Sequence, residues 1–172
     1  MESAPIPGPP LKTEPGTYNH FYKQKAMKVI KCVPDENLNF TTQEESSHLT
    51  DNFMYRVVSL PTGRVFVIGG AKDINGSTTL KDTKELVDGQ LIEKAGMWIS
   101  RAAFGVAVYP NHTQIFIAGG RINNSEATKH CERYIVAQNV WKRLPELREP
   151  KFSTSLCFFN NGGTLYCFGG LT

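Results

Sequence analysis

The chain has 172 residues, 40% of them hydrophobic, with 19 Lys and Arg against 16 Asp and Glu. That apolar content suffices for one modest core and excludes a chain disordered throughout, while a formal charge of +3 is too slight to specify nucleic acid or an anionic membrane as partner. No apolar run approaches the roughly 18 to 20 residues that span a bilayer, and the start MESAPIPGPPLKTEPG lacks the apolar heart of a signal peptide, so a cytoplasmic address is expected.

Residues 1–20 hold Pro5, Pro7, Pro9, Pro10 and Pro15 with Gly8 and Gly16, a composition that favours extended, polyproline-like chain, so this stretch reads as a disordered leader. Residues 21–52 form a lead-in. Within it AMKVIKCV (Ala26–Val33) predicts one strand and Asn37–Thr42 a second. Tyr18, Phe21 and Tyr22 interleave with lysines here, a pattern that can stack bases and neutralise phosphates. A solvated linker leading into a strand with exposed lysines accounts for the same residues, and no nucleic-acid partner is expected.

From Phe53 onward the punctuation sharpens. FMYRVVSL, the breaker PTGR and VFVIGG predict a hairpin. The design returns as FGVAVYPNHTQIFIAGG, turning at Pro110–Thr113, and as STSLCFFNNGGTLYCFGG, turning at Asn160–Gly163. The double glycines Gly69-Gly70, Gly119-Gly120 and Gly169-Gly170 stand fifty residues apart both times. A phosphate-cradling turn is needed once, so a phrase repeated three times in one register speaks for architecture. The apolar runs alternate little, as in strands covered on both faces. Between the glycine pairs lies a second hairpin in each unit: DTKELV and QLIEKAGM about Asp88-Gly89, a strong two-residue turn signal, then HCERYIV and VWKRLPEL about AQN. Each unit therefore reads as four antiparallel strands, and no segment asks to be a helix.

Cys32, Cys131, Cys157 and Cys167 include no Cys-x-x-Cys pair, so neither a zinc site nor a redox motif is indicated, and buried reduced thiols are expected. Asn39, Asn75, Asn111 and Asn123 each open a glycosylation sequon. Asn, Ser and Thr also gather in turns for backbone reasons, and these four are read as turn residues.

The repeat resembles the kelch repeat: four apolar residues and two glycines, a variable loop, a tyrosine with an acidic neighbour, and a tryptophan about seven residues on. Gly119-Gly120, Glu132, Tyr134 and Trp141 carry the match, with Leu147 and Lys151 at the opening of the next unit. The preceding unit keeps Gly69-Gly70, Met97 and Arg101, with Lys84 and Leu91 standing where the aromatic pair belongs and Trp98 out of register. The resemblance covers residues 53–172 and implies an all-β, partial kelch-type β-propeller of four-stranded antiparallel blades, about 53–100 and 101–150 with a half blade at 151–172. A closed propeller needs about four to eight blades, so missing blades or another chain are expected to cover the open edges.

The resemblance implies a non-catalytic module, an adaptor or scaffold that binds a protein partner through one rim of the propeller. The alternative is a propeller fragment of a kelch-type oxidase or carbohydrate-active enzyme. Copper chemistry needs converging His and Tyr ligands, whereas His20, His48, His112 and His130 are scattered. No nucleophile elbow, zincin motif or P-loop lysine occurs, so no catalytic residue, metal or cofactor is expected. The loop after each double glycine and the crossing between blades emerge on one rim, where they present Lys72, Asp73 and Asn75, then Arg121 and Asn123, then Arg101, Lys151 and Ser153. This mostly basic and amide-bearing set suits an acidic peptide or carboxylate-rich surface. For Arg101 and Lys151 the alternative is a bridge between neighbouring blades.

Overall fold

The computed structural model describes residues 52–172, together with two earlier strands, β1 (Val29–Pro34) and β2 (Phe40–Glu45). The proline-rich leader, the aromatic and lysine stretch up to residue 28, and Asn39 of the first sequon lie outside the described residues. The later strands are β3 (Arg56–Ser59), β4 (Val65–Ile68), β5 (Thr83–Val87), β6 (Gln90–Lys94), β7 (Gly105–Val108), β8 (Gln114–Ala118), β9 (Cys131–Ile135), β10 (Val140–Leu144), β11 (Ser155–Phe159) and β12 (Thr164–Phe168). They form two four-stranded antiparallel sheets, β3-β4-β5-β6 and β7-β8-β9-β10, followed by the two-stranded β11-β12, while β1 pairs with β2. The early hairpin lies about three residues later than the predicted Ala26–Val33 and Asn37–Thr42. The chain is all-β, a partial propeller whose sheets do not close into a ring, and each glycine pair ends the second strand of its blade.

Turn chemistry sets the hairpins. Asp88-Gly89 takes positive φ at both residues, 49° and 76°, the conformation of a tight hairpin turn. The β9–β10 turn is longer, a 3-10 turn at Val136–Gln138 closed by Asn139 in the left-handed region. Twelve residues separate Gly70 from Thr83, but ten separate Gly120 from Cys131. The two-residue excess in one loop is offset by the longer β9–β10 turn, which keeps the period at fifty. The offset corrects one expectation. Val65 pairs with Leu86 as Ile115 pairs with Tyr134, so Leu86 occupies the tyrosine position and Lys84 matches Glu132. Leu91, opposite Leu86, holds the tryptophan position as expected.

The core lies between blades. Val58, Leu60, Phe66 and Ile68 of the first blade meet Ile115, Ile117, Tyr134 and Trp141 of the second in one buried cluster, with Val106 and Val108 packed against it. Tyr134 meets Phe66 edge-on at 5.8 Å and lies tilted by 37° against Trp141 at 5.1 Å, contacts worth about 0.5–1.5 kcal/mol per pair beyond area burial. The indole Nε1–H of Trp141 donates back to the Ala95 carbonyl at 2.9 Å and to Thr83 Oγ1 at 3.1 Å, so this side chain anchors its blade to β5 of its neighbour and to the residue that follows β6. Between the second and third blades the Phe158 ring stands edge-on to Tyr109 at 5.1 Å and to Phe116 at 5.0 Å, and those two rings lie 6.0 Å apart, tilted by 32°.

The third blade departs from the expected two-sided cover. β11 and β12 alternate between exposed and half-buried residues, and Phe159, Tyr166 and Phe168 are exposed. Their face is the one against which a following blade would pack. Cys157 lies exposed on it, against the expectation of buried thiols; Cys131 is buried and Cys167 half-buried.

Candidate functional site

The rim at the glycine end is built by a device used at each blade junction. Gly70 donates to the Arg101 carbonyl at 3.0 Å and Gly120 to the Lys151 carbonyl at 2.7 Å, so each glycine pair grips the strand that opens the next blade. A Cβ on Gly69 would stand 2.6 Å from the Arg101 oxygen, and one on Gly119 would stand closer still to that of Lys151. Positive φ and backbone crowding together require glycine. The residues opening the three blades, Met54, Ala103 and Ser153, all adopt φ of 52–54°. Ala103 N–H donates to Met54 O at 3.0 Å and Ser153 N–H to Ala103 O at 2.6 Å, a chain of bonds running from blade to blade.

Arg101 does not face this rim, which corrects its assignment as a partner-binding residue. It is fully buried, and Glu132 is 1% exposed. Its guanidinium meets Glu132 Oε1 at 2.5 Å and donates to the carbonyls of Gly119 at 2.8 Å and His130 at 2.7 Å. The Glu132 carboxylate also accepts the backbone N–H of Trp98 at 2.8 Å. Burial pulls the Arg101 pKa down and the Glu132 charge opposes that; an arginine remains protonated. The pair is the bolt that holds the crossing strand to β9. Lys151, one period later, is half-buried and reaches Glu149 at 3.6 Å, while its backbone carries the junction.

The loops between β4 and β5 and between β8 and β9 meet on this rim, because Thr79 Oγ1 donates to the Ile122 carbonyl at 2.8 Å. In the first loop the Asp73 carboxylate accepts the N–H groups of Asn75, Ser77 and Thr78 at 3.0–3.1 Å. Those backbone donors lower its pKa, and they make Asp73 the organiser of the loop. Lys72, Ile74 and Asn75 are exposed around it, Ile74 to 48%. Ile74 was missed by sequence reasoning, although one large apolar residue inside the polar KDINGST is its signal. In the second loop Asn123 Oδ1 accepts the Ser125 N–H at 2.9 Å and its amide donates to Glu126. Arg121 donates to the Asn124 carbonyl and lies 4.9 Å over the Phe152 ring of the third blade. Ser153 is exposed at the third opening. Of the sequence-predicted set, Lys72, Asn75 and Ser153 stand exposed on the rim, and Arg121, Asp73 and Asn123 shape its loops.

His112 lies in the Tyr109–Gln114 turn and Asn161 in the β11–β12 turn, both at the opposite end of their strands. Asn111 accepts the Thr113 N–H at 3.1 Å, and with Asn123 it acts as a turn residue. His130 pairs with Glu146 at 2.7 Å. Among the described residues no three His, Cys, Asp or Glu side chains gather to hold a metal, and no helix is long and apolar enough to cross a membrane.

No curated protein matches the sequence. Among solved structures, a fungal alcohol oxidase of the AA5 family, determined in complex with copper, is similar over 69% of this chain with a TM-score of 0.58 and 16% identity. This chain spans 28% of that one, and the likeness is one of fold. The kelch-motif family model matches residues 100–148, the stretch that runs from the buried Arg101 through the glycine junction to Trp141. The second blade thus carries a kelch motif, and the first blade repeats its strand order and its glycine junction.

Proposed function

We propose that this chain is a non-catalytic protein-interaction module whose glycine-end rim binds an acidic, partly apolar segment of a partner protein. One observation carries the reading. The two rim loops are folded by their own side chains, through Asp73 and Asn123, and tied together by Thr79, so the backbone that carries the exposed Lys72, Ile74 and Asn75 is ordered before binding, which lowers the ordering cost. An exposed isoleucine beside a lysine and an amide offers an apolar contact flanked by donors, and Lys72 has no acidic ion-pair partner among the described residues. Arg121 supplies a second cation on the neighbouring loop.

The test is fluorescence anisotropy with a labelled peptide of alternating Glu and Leu, against its Gln/Leu counterpart. The acidic peptide binds, and Lys72→Glu or Ile74→Ser weakens binding at least tenfold without moving thermal unfolding. His112→Ala and Asn161→Ala on the opposite rim leave binding unchanged. Arg121→Ala and Asn123→Ala are poorer probes, because both side chains also hold the loop. Equal binding of the two peptides, or loss of binding with the opposite-rim variants alone, refutes the assignment.

A further inference from the structure

Trp98 falls out of the kelch register in the sequence, and the structure gives it a place of its own. It follows the buried Met97 on the segment that crosses from the first blade to the second, yet it is 61% exposed. Despite that exposure it is held at both ends. Its backbone N–H donates to Glu132 Oε2 at 2.8 Å, and its indole Nε1–H donates to the Trp141 carbonyl at 3.1 Å. The Arg143 guanidinium lies 4.9 Å over the ring. β10, which carries Trp141 and Arg143, is the outermost strand of its sheet. Trp98 therefore lies on the outer margin of a junction between two four-stranded blades. A repeat contacts only its neighbours, so no further blade of a propeller reaches this spot.

We propose that Trp98 and Arg143 form a docking site for an extended, proline-containing acidic segment of a partner protein, separate from the rim assigned above. Three observations set the chemistry. Arg143 is exposed, and the ring contact is its one interaction among the described residues. A guanidinium stacked on a ring keeps its in-plane N–H donors free for a carboxylate. Secondly, the recess beside the ring is lined by Ile99, Leu144, His130 and Glu146 among others. The Glu146 carboxylate there is turned to Lys129 at 2.8 Å and His130 at 2.7 Å, so the charge left without a counterpart is that of Arg143.

The third observation concerns the sheet edge. An edge strand is a template for an added strand, but the Trp98 indole already occupies the Trp141 carbonyl of β10. A partner lying on Trp98 cannot also extend the sheet through that acceptor, and must dock by its side chains. Polyproline-like chain makes no ladder bonds, and its rings pack on aromatic side chains at little ordering cost. A glutamate beside them reaches Arg143. Tryptophan and arginine are also the residue types that carry most binding energy at interfaces.

The test uses a labelled peptide of repeating Pro-Pro-Glu and its Pro-Pro-Gln counterpart on the 172-residue chain. The chain has two tryptophans, and with Trp141 only 3% exposed, acrylamide quenching of their fluorescence reports chiefly on Trp98. The acidic peptide is expected to bind and to reduce that quenching. Trp98→Ala and Arg143→Gln should each weaken binding about tenfold or more in anisotropy titrations, whereas His112→Ala, at the far end of the strands, leaves it unchanged. If Trp98→Ala lowers the thermal midpoint, Arg143→Gln on an exposed side chain decides, and undiminished binding in it overturns the proposal. Equal binding of the glutamine peptide, binding that leaves the quenching unchanged, or no binding overturns it as well. So does equal protection of Trp98 by the alternating Glu and Leu peptide, which would remove the role of proline. Lys72→Glu separates the two sites. If it abolishes Pro-Pro-Glu binding while Trp98→Ala does not, the peptide sits on the rim and this site fails; if rim binding fails while Trp98 is still protected, this site stands without the rim.

Discussion

Glu132→Gln tests the bolt between the crossing strand and β9. The substitution keeps shape and volume but removes the charge opposite Arg101, which is fully buried. The guanidinium retains the carbonyls of Gly119 and His130, while one of the carboxylate's acceptor positions becomes an N–H donor facing Trp98 N–H or Arg101. Removing one partner of a buried pair costs about 3–5 kcal/mol, because the remaining charge stays desolvated. The amide still accepts at one atom, so about 3 kcal/mol is expected, equivalent to a fall of roughly 6–12 °C in the midpoint. Glu132→Ala also strands the Trp98 N–H and should cost about 1–3 kcal/mol further. Urea unfolding followed by tryptophan fluorescence reads both, since Trp98 and Trp141 border the site. The double variant Arg101→Met/Glu132→Met should cost less than the sum of its singles by about 2 kcal/mol or more. A loss below about 1 kcal/mol for Glu132→Gln, or strict additivity of the double variant, refutes the view that this pair bolts the junction.

Gly119→Ala should unfold the second junction, since its Cβ would run into the Lys151 carbonyl; Gly169→Ala, with positive φ but open space around it, should cost only about 1–2 kcal/mol of backbone strain, and thermal melts distinguish the two. Trp141→Phe keeps most of the apolar volume but orphans the acceptors at Ala95 and Thr83, and should cost about 1–3 kcal/mol in urea unfolding. Glu85 lies between Arg64 Nε at 2.5 Å and Lys94 at 2.8 Å, and the Arg64 hydrogen bond holds its pKa down at about 2 against the ordinary 4.5. Its folded pKa is depressed, so the stabilisation is present in full above pH 4.5 and is lost as pH falls toward 2. Solvent around the 39%-exposed Arg64 side chain screens it to roughly 1–2 kcal/mol, and Glu85→Gln should flatten that acid limb in pH-dependent melts.

The local chemistry of the chain is legible in its amino acids alone. Asp88-Gly89, Pro61 with Gly63, and the three glycine pairs state turns and strand ends through backbone preferences that do not depend on neighbours, and they lead to four-stranded blades and to the rim where the loops emerge. What a residue meets across a blade junction is not local. Only the tertiary structure places Leu86, rather than Lys84, at the tyrosine position, because two length changes cancel within one period and leave no trace in the spacing of the glycines. Only it separates Arg101 from Arg121: both are arginines near a glycine pair, but one faces a buried carboxylate on β9 and the other lies over an aromatic ring at the surface. Cys157 and Cys167 sit in equally apolar runs, yet the sheet turns one toward an uncovered face and the other toward a neighbour. Burial in a propeller is decided between blades, and a single strand's sequence carries the tendency to be covered without naming what covers it.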